Sequence, residues 1–113
     1  MPDVQFTIKK NDTRPELAIQ IIDESTGNPL NLAGATAVFS MKDRSGVLKI
    51  NRASANIFDA VNGKVKYTWQ AADVNTAGIF RGEFEVTFAA GAKATFPSDG
   101  DIVITILEDV DNA

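Results

Sequence analysis

A chain of 113 residues with no cysteine and no histidine is one domain, able to hide roughly 65% of its unfolded surface and hold a core without staples. The missing residue types exclude disulfides, thiolate metal sites and every Ser–His or Cys–His nucleophile pair, and they remove the usual acid–base group of neutral pH. The formal net charge is −4, and Lys and Arg are scattered, with Lys9-Lys10 the one adjacent pair, so there is no basic stripe for phosphates and nucleic acid is not an expected partner.

The N-terminal "MPDVQFTIKK" has neither the charged n-region nor the apolar h-region of a secretory signal. No apolar run approaches the roughly 20 residues that span a bilayer. The expectation is a cytosolic product made without a signal peptide, with no membrane partner.

In chain order, period two dominates and period 3.6 is almost absent. Val4, Phe6 and Ile8 alternate with Gln5, Thr7 and Lys9, predicting a first strand. Leu17, Ile19 and Ile21 alternate in a second, and "DESTGNPLNLAGA" follows as a turn-forming cluster. Ala37, Phe39 and Met41 make the next stripe, closed by a turn at "DRSG", and Leu48 with Ile50 predicts a short strand beyond it.

"ANIFDAVNGKVKYTW" is a hairpin signal, because Asn62-Gly63 tolerates positive φ between two alternating segments. A two-residue loop would set Phe58 opposite Tyr67. A three-residue loop would set Ile57 opposite Tyr67 and Ala55 opposite Trp69, and it is preferred because it gives the aromatic strand small or branched neighbours. "AADVNTAG" holds a helical turn at most.

The most regular stretch is "GIFRGEFEVTF". Phe80, Gly82, Phe84, Val86 and Phe88 share one side; Arg81, Glu83, Glu85 and Thr87 share the other. A loop at Ala89–Gly91 would pair Phe88 with Ala92, Val86 with Ala94 and Phe84 with Phe96, apolar against apolar throughout. The last strand, Ile102 to Leu107, is apolar on both faces and calls for a central or subunit-covered place. An exposed edge there would aggregate. Seven to eight short strands with turn chemistry between them predict an all-β, antiparallel, immunoglobulin-like sandwich, a single domain over 1–113.

Little of this pattern is chemistry. A paired-carboxylate hydrolase is formally open, but Glu83 and Glu85 lie beside Arg81 on a solvated strand face. "SDGD", Ser98 to Asp101, offers too few oxygens for calcium and reads as an Asx turn. No glycine-rich loop opens a helix to cradle phosphate. Tyr67 and Trp69 could form a sugar platform, but their stripe points inward, and large aromatics dominate cores. Val74 and Ile79 are the better candidates for exposed apolar contact.

Three segments carry a resemblance. "LNLAGATAVFSMKD" (Leu30–Asp43), "NGKVKYTWQAADVNTAGIFRGEFEVTF" (Asn62–Phe88) and "TFPSDGDIVITI" (Thr95–Ile106) occur in order at fitting spacing. Together they resemble the N-terminal domain of phage baseplate upper proteins, over about residues 30–106. The resemblance implies an immunoglobulin-like sandwich in tail and receptor-binding structures. The corner Asp73 to Phe80 resembles a sandwich crossover with Phe80 in place of a tyrosine, so Asp73 is expected to cap the turn alone. Family members usually continue into a fibre and a receptor-binding module. This chain is therefore either an excised domain or a free-standing adaptor, and the Met1 start and polar tail favour the second.

The expectation that follows is a non-enzymatic structural protein of a phage or prophage tail, located in the virion, without a cofactor or metal. It would dock to other tail or baseplate proteins and form a homo-oligomer. Phe39, Tyr67, Trp69, Phe80, Phe84, Val86 and Phe96 are assigned to the core. Val103, Thr105 and Leu107 are the candidate interface, covered either by the N-terminal strand or by another subunit. The rival is a carbohydrate-binding module for a host surface glycan. An exposed aromatic pair would favour it, whereas a buried Trp69 with a bare apolar edge would favour docking.

Overall fold

The computed structural model describes residues 4–23, 25–97, 100–108 and 110. Its strands are β1 (Val4–Lys9), β2 (Leu17–Gln20), β3 (Ile22–Asp23), β4 (Asn28–Pro29), β5 (Thr36–Lys42), β6 (Leu48–Asp59), β7 (Lys64–Tyr67), β8 (Gly78–Thr87), β9 (Lys93–Phe96) and β10 (Ile102–Leu107). One 3-10 turn, Ala71–Val74, falls in the segment expected to hold a helical turn.

β8 is the hub, and alternation explains why. Phe80, Gly82, Phe84 and Val86 are buried, while Ile79, Arg81 and Glu83 face out. One edge of β8 pairs with β5, setting Phe39 opposite Phe84 and Ala37 opposite Val86. The other edge is shared: β10 takes the first half and β9 the second. Phe84 faces Phe96 and Val86 faces Ala94, and the Phe88 N–H reaches the Ala92 carbonyl, which is the register read from the sequence.

The two layers are β1-β10-β8-β5, with β9 beside β8, and β7-β2; the long β6 joins them. The expected all-β sandwich is present, but it is mixed, not purely antiparallel. β1 runs parallel to β10, from Val4 opposite Ile102 to Lys9 opposite Leu107. A parallel pair needs a long crossover, and nearly the whole domain separates these two strands, so no hairpin dictates their relative direction.

β6 also departs from expectation. In place of a short strand at Leu48–Ile50 and a separate later one, a single 12-residue strand runs to Asp59. It is bulged where Phe39 faces Ala53 but Met41 faces Ile50, and Arg52 takes φ 55° there. The extra residue bends the strand, so its first part pairs with β5 and its last part with β7.

Both hairpin registers read from the sequence are corrected. Asn56 faces Lys66, Ile57 faces Val65 and Asp59 faces Lys64, with Phe58 bulged out. The loop geometry is fixed from outside the hairpin. Gly63 accepts from the Ile21 N–H, and Ala60 from the Leu32 N–H. A Cβ on Gly63 would lie 2.6 Å from the Ile21 carbonyl and 2.7 Å from that of Leu30, at φ +67°. Tyr67 thereby comes opposite Leu17 on β2.

The core centres on Phe39. Its ring stacks on Tyr67 at 4.9 Å, meets Trp69 edge-on at 5.9 Å and lies 4.9 Å from Phe84. Gly82 makes room for it, since a Cβ there would come within 2.7 Å of the Phe39 ring.

Candidate functional site

Of the residues assigned to the core, Phe39, Tyr67, Trp69, Phe80, Phe84 and Val86 are buried, and Phe96 is partly buried against them. Trp69 is 1% exposed, and its Nε1 has no hydrogen-bond partner among the described residues. Tyr67 and Trp69 meet each other edge-on inside the sandwich.

The corner after β7 is locked differently from the expectation. Asp73 does not cap it alone: Oδ2 accepts the Tyr67 hydroxyl at 2.6 Å and the Gln70 N–H at 2.8 Å. Phe80 cannot supply a hydroxyl, and Tyr67, at the end of the preceding strand, does. Burial first, and the Asp73 carboxylate second, push the ionisation of Tyr67 well above its ordinary value. A phenol held protonated in this way locks the corner and supplies no nucleophile.

The Glu85 carboxylate is not poised as an acid either. Glu85 accepts from Arg52 at 2.7 Å, and that bond holds its carboxyl below the ordinary range. A general acid needs the opposite shift. Of the turn weighed for calcium, Ser98 and Asp99 lie outside the described residues, and Asp101 is 3.4 Å from Arg81. Among the described residues no three metal-ligating side chains cluster.

Besides the exposed Val47, Leu48, Phe58 and Val61 around the ends of β6, the described residues present apolar surface in two further places. The first is the outer face of β10. β1 of the same chain pairs along its edge, but the face itself is open: Val103 and Thr105 are half-buried, and Leu107 is 43% exposed. Thr105 lies opposite Ile79 of β8, itself 42% exposed. Of the two residues expected to offer exposed apolar contact, Ile79 does so. Val74 does not; it is buried in the core, and its carbonyl accepts the Asn11 N–H.

The second place was missed in the sequence. A groove of about 540 Å³ runs along the open side of the sandwich, with Ile19, Ile22 and Leu30 on one wall and Val4, Phe96 and Pro97 on the other. Consecutive residues 19–22 line it, so it follows the edge of the strand and not just one face. The signal available was "LAIQII", a strand with no charged residue in it.

The model of one family, the BppU N-terminal domain, matches residues 2–105. The chain belongs to this family. BppU N-terminal domains are phage baseplate domains, which gives the chain a structural role in the phage tail and association with tail proteins. The fold is similar to that of the N-terminal domain of phage TP901-1 ORF48, at TM-score 0.55 and 19% identity, covering 96% of this chain and 85% of the other. It is equally similar to CopC from Methylosinus trichosporium OB3b, at TM-score 0.55 and 13% identity, covering 95% and 87%. At such identities these likenesses concern the sandwich alone. No curated protein matches the chain. The BppU N-terminal domain of this chain thus combines a closed aromatic core with an uncovered β10 face and an open groove beside β2.

Proposed function

We propose that this BppU N-terminal domain is a non-enzymatic adaptor of the phage tail that works by protein–protein docking. Its outer β10 face, Val103, Thr105 and Leu107 together with Ile79, would meet a neighbouring tail protein. One observation carries the reading: Tyr67 and Trp69 are spent on the core, while Leu107 and Ile79 lie uncovered on a sheet face. Among the described residues no exposed aromatic pair favours a sugar. Phe58 is exposed, but the Lys66 ammonium stands over its ring at 5.3 Å.

The test is mass in solution by light scattering, for the domain alone and mixed with the products of neighbouring tail genes. A stable mixed complex is expected, and Leu107→Lys is expected to dissolve it with the melting temperature unchanged. No complex with any baseplate neighbour would overturn the reading.

A further inference from the structure

The outer strands of this sandwich are not protected equally. β1 ends in Lys9 and is followed by Lys10, and β9 begins with Lys93 and is followed by Pro97. Charge and proline are the usual devices that stop an edge from pairing with another chain. β2 has neither within it: Leu17–Gln20 is uncharged and free of proline, and of Pro15 and Glu16, which precede it, Glu16 is turned toward Lys66 of β7 at 3.2 Å. It pairs with β7 alone, and its other side has no strand among the described residues.

The ladder shows which backbone groups are turned outward. Ile21 donates to Gly63, and Leu17 and Ile19 stand opposite Tyr67 and Val65 in step with it. In an antiparallel pair, alternate residues direct both backbone groups to the same side. The odd residues therefore serve β7, and Ala18 and Gln20 direct their N–H and C=O groups to the open edge. Both residues are exposed. The β3-β4 hairpin does not cover this edge, because Leu30 donates to the same Ile21 whose N–H faces Gly63.

We infer that β2 pairs antiparallel with β2 of a second copy of this chain, about a twofold axis at Ile19. Ala18 of each copy exchanges backbone hydrogen bonds with Gln20 of the other. The two Ile19 side chains meet on the inner face, and the apolar grooves beside them close on each other. A twofold contact must be self-complementary, and a neutral strand with small Ala18 outward satisfies that without placing like charges together in the ladder. The Asp23 that lines each groove has its carboxylate held by the Ser25 N–H and hydroxyl. A short ladder alone buries too little for a stable dimer, and the groove walled by Ile22, Leu30, Val4 and Phe96 supplies the apolar area beside it. The inference rests on the docking reading and adds the surface through which copies associate.

The experiment is mass against concentration by light scattering for the wild type, Ala18→Lys, Gln20→Lys and Leu107→Lys, with backbone hydrogen exchange on the wild type. Expected are a wild-type dimer whose melting temperature rises with concentration, folded monomers for both β2 variants whose melting temperature does not depend on concentration, and slowed exchange of the Ala18 and Gln20 amides on dimerisation. If one β2 variant fails to fold, the other variant and the exchange pattern still decide. A wild type that stays monomeric, a dimer indifferent to both β2 lysines, or protection absent at Ala18 and Gln20 overturns the inference. A dimer broken only by Leu107→Lys also overturns it while leaving docking intact. A β2-dependent dimer that binds no tail protein supports the inference while the docking to neighbours fails.

Discussion

At the scale of single residues, the molecule depends on how Phe39 is surrounded. Phe84 is fully buried beside it, so Phe84→Ala leaves a cavity and is expected to cost about 3–5 kcal/mol in denaturant unfolding. Gly82 has the reverse problem: Gly82→Ala forces a methyl against the Phe39 ring and the Ile104 side chain, for an expected loss of about 1–3 kcal/mol. The Tyr67–Asp73 bond gives a pH signature. Burial, then Asp73, hold the proton on Tyr67 above the ordinary 10.0. The folded chain therefore keeps a proton that the unfolded chain releases, and this contribution is complete below about pH 10 and lost as pH rises beyond it. The chain has one tyrosine, which makes the comparison clean. Tyr67→Phe should be less stable than wild type by about 1.5–3 kcal/mol at neutral pH. Its melting temperature should then fall less steeply than that of wild type above pH 10. Parallel curves for the two proteins would refute the assignment.

At the scale of elements, what could be read depended on distance along the chain. The β8–β9 pairing was legible because a short loop and two complementary stripes, Phe84 with Phe96 and Val86 with Ala94, specify one register. The β6–β7 register was not, because Ile21, Leu30 and Leu32 hold the loop Ala60–Gly63 from outside. The parallel β1–β10 seam was equally hidden, since no local turn relates the two ends of a domain. The bulge in β6 is a third case, carried by a residue type that gives no warning. Arg52 holds φ 55° with its N–H on the Ser40 hydroxyl at 2.9 Å, and its side chain reaches Glu85 on the surface. Exposed ion pairs contribute little, so backbone conformation should decide the outcome of substitution here. Arg52→Gly is expected to stay within about 1 kcal/mol of wild type, because glycine adopts positive φ readily. Arg52→Val, whose branched side chain resists that region, should lose about 1–3 kcal/mol. Equal losses for the two in urea unfolding would show that the ion pair, and not the bend, is what Arg52 provides.

At the scale of the whole molecule, Trp69 ties the layers together and separates the two functional readings. It is the one tryptophan of the chain, and it touches Phe6 of β1 at 5.7 Å, Phe39 of β5 and Tyr67 of β7. The aromatic core was legible from the alternation of Val65, Tyr67 and Trp69. The groove at β2 was not, because it arises between Ile19 and Phe96, residues of different strands that only the fold brings side by side. A ring so enclosed cannot stack on a sugar without leaving the core. Trp69→Ala should therefore act on stability, lowering it by about 3–5 kcal/mol, and not on a binding activity within an intact fold. Wild-type fluorescence should be blue-shifted, and adding bacterial surface glycans should not alter it. The same emission should move red together with the loss of circular dichroism on urea titration, as one transition, because the ring and the two layers share one core. Red-shifted emission quenched by glycan in the folded protein would mean that Trp69 leaves the core to bind, and the docking role would give way to sugar recognition.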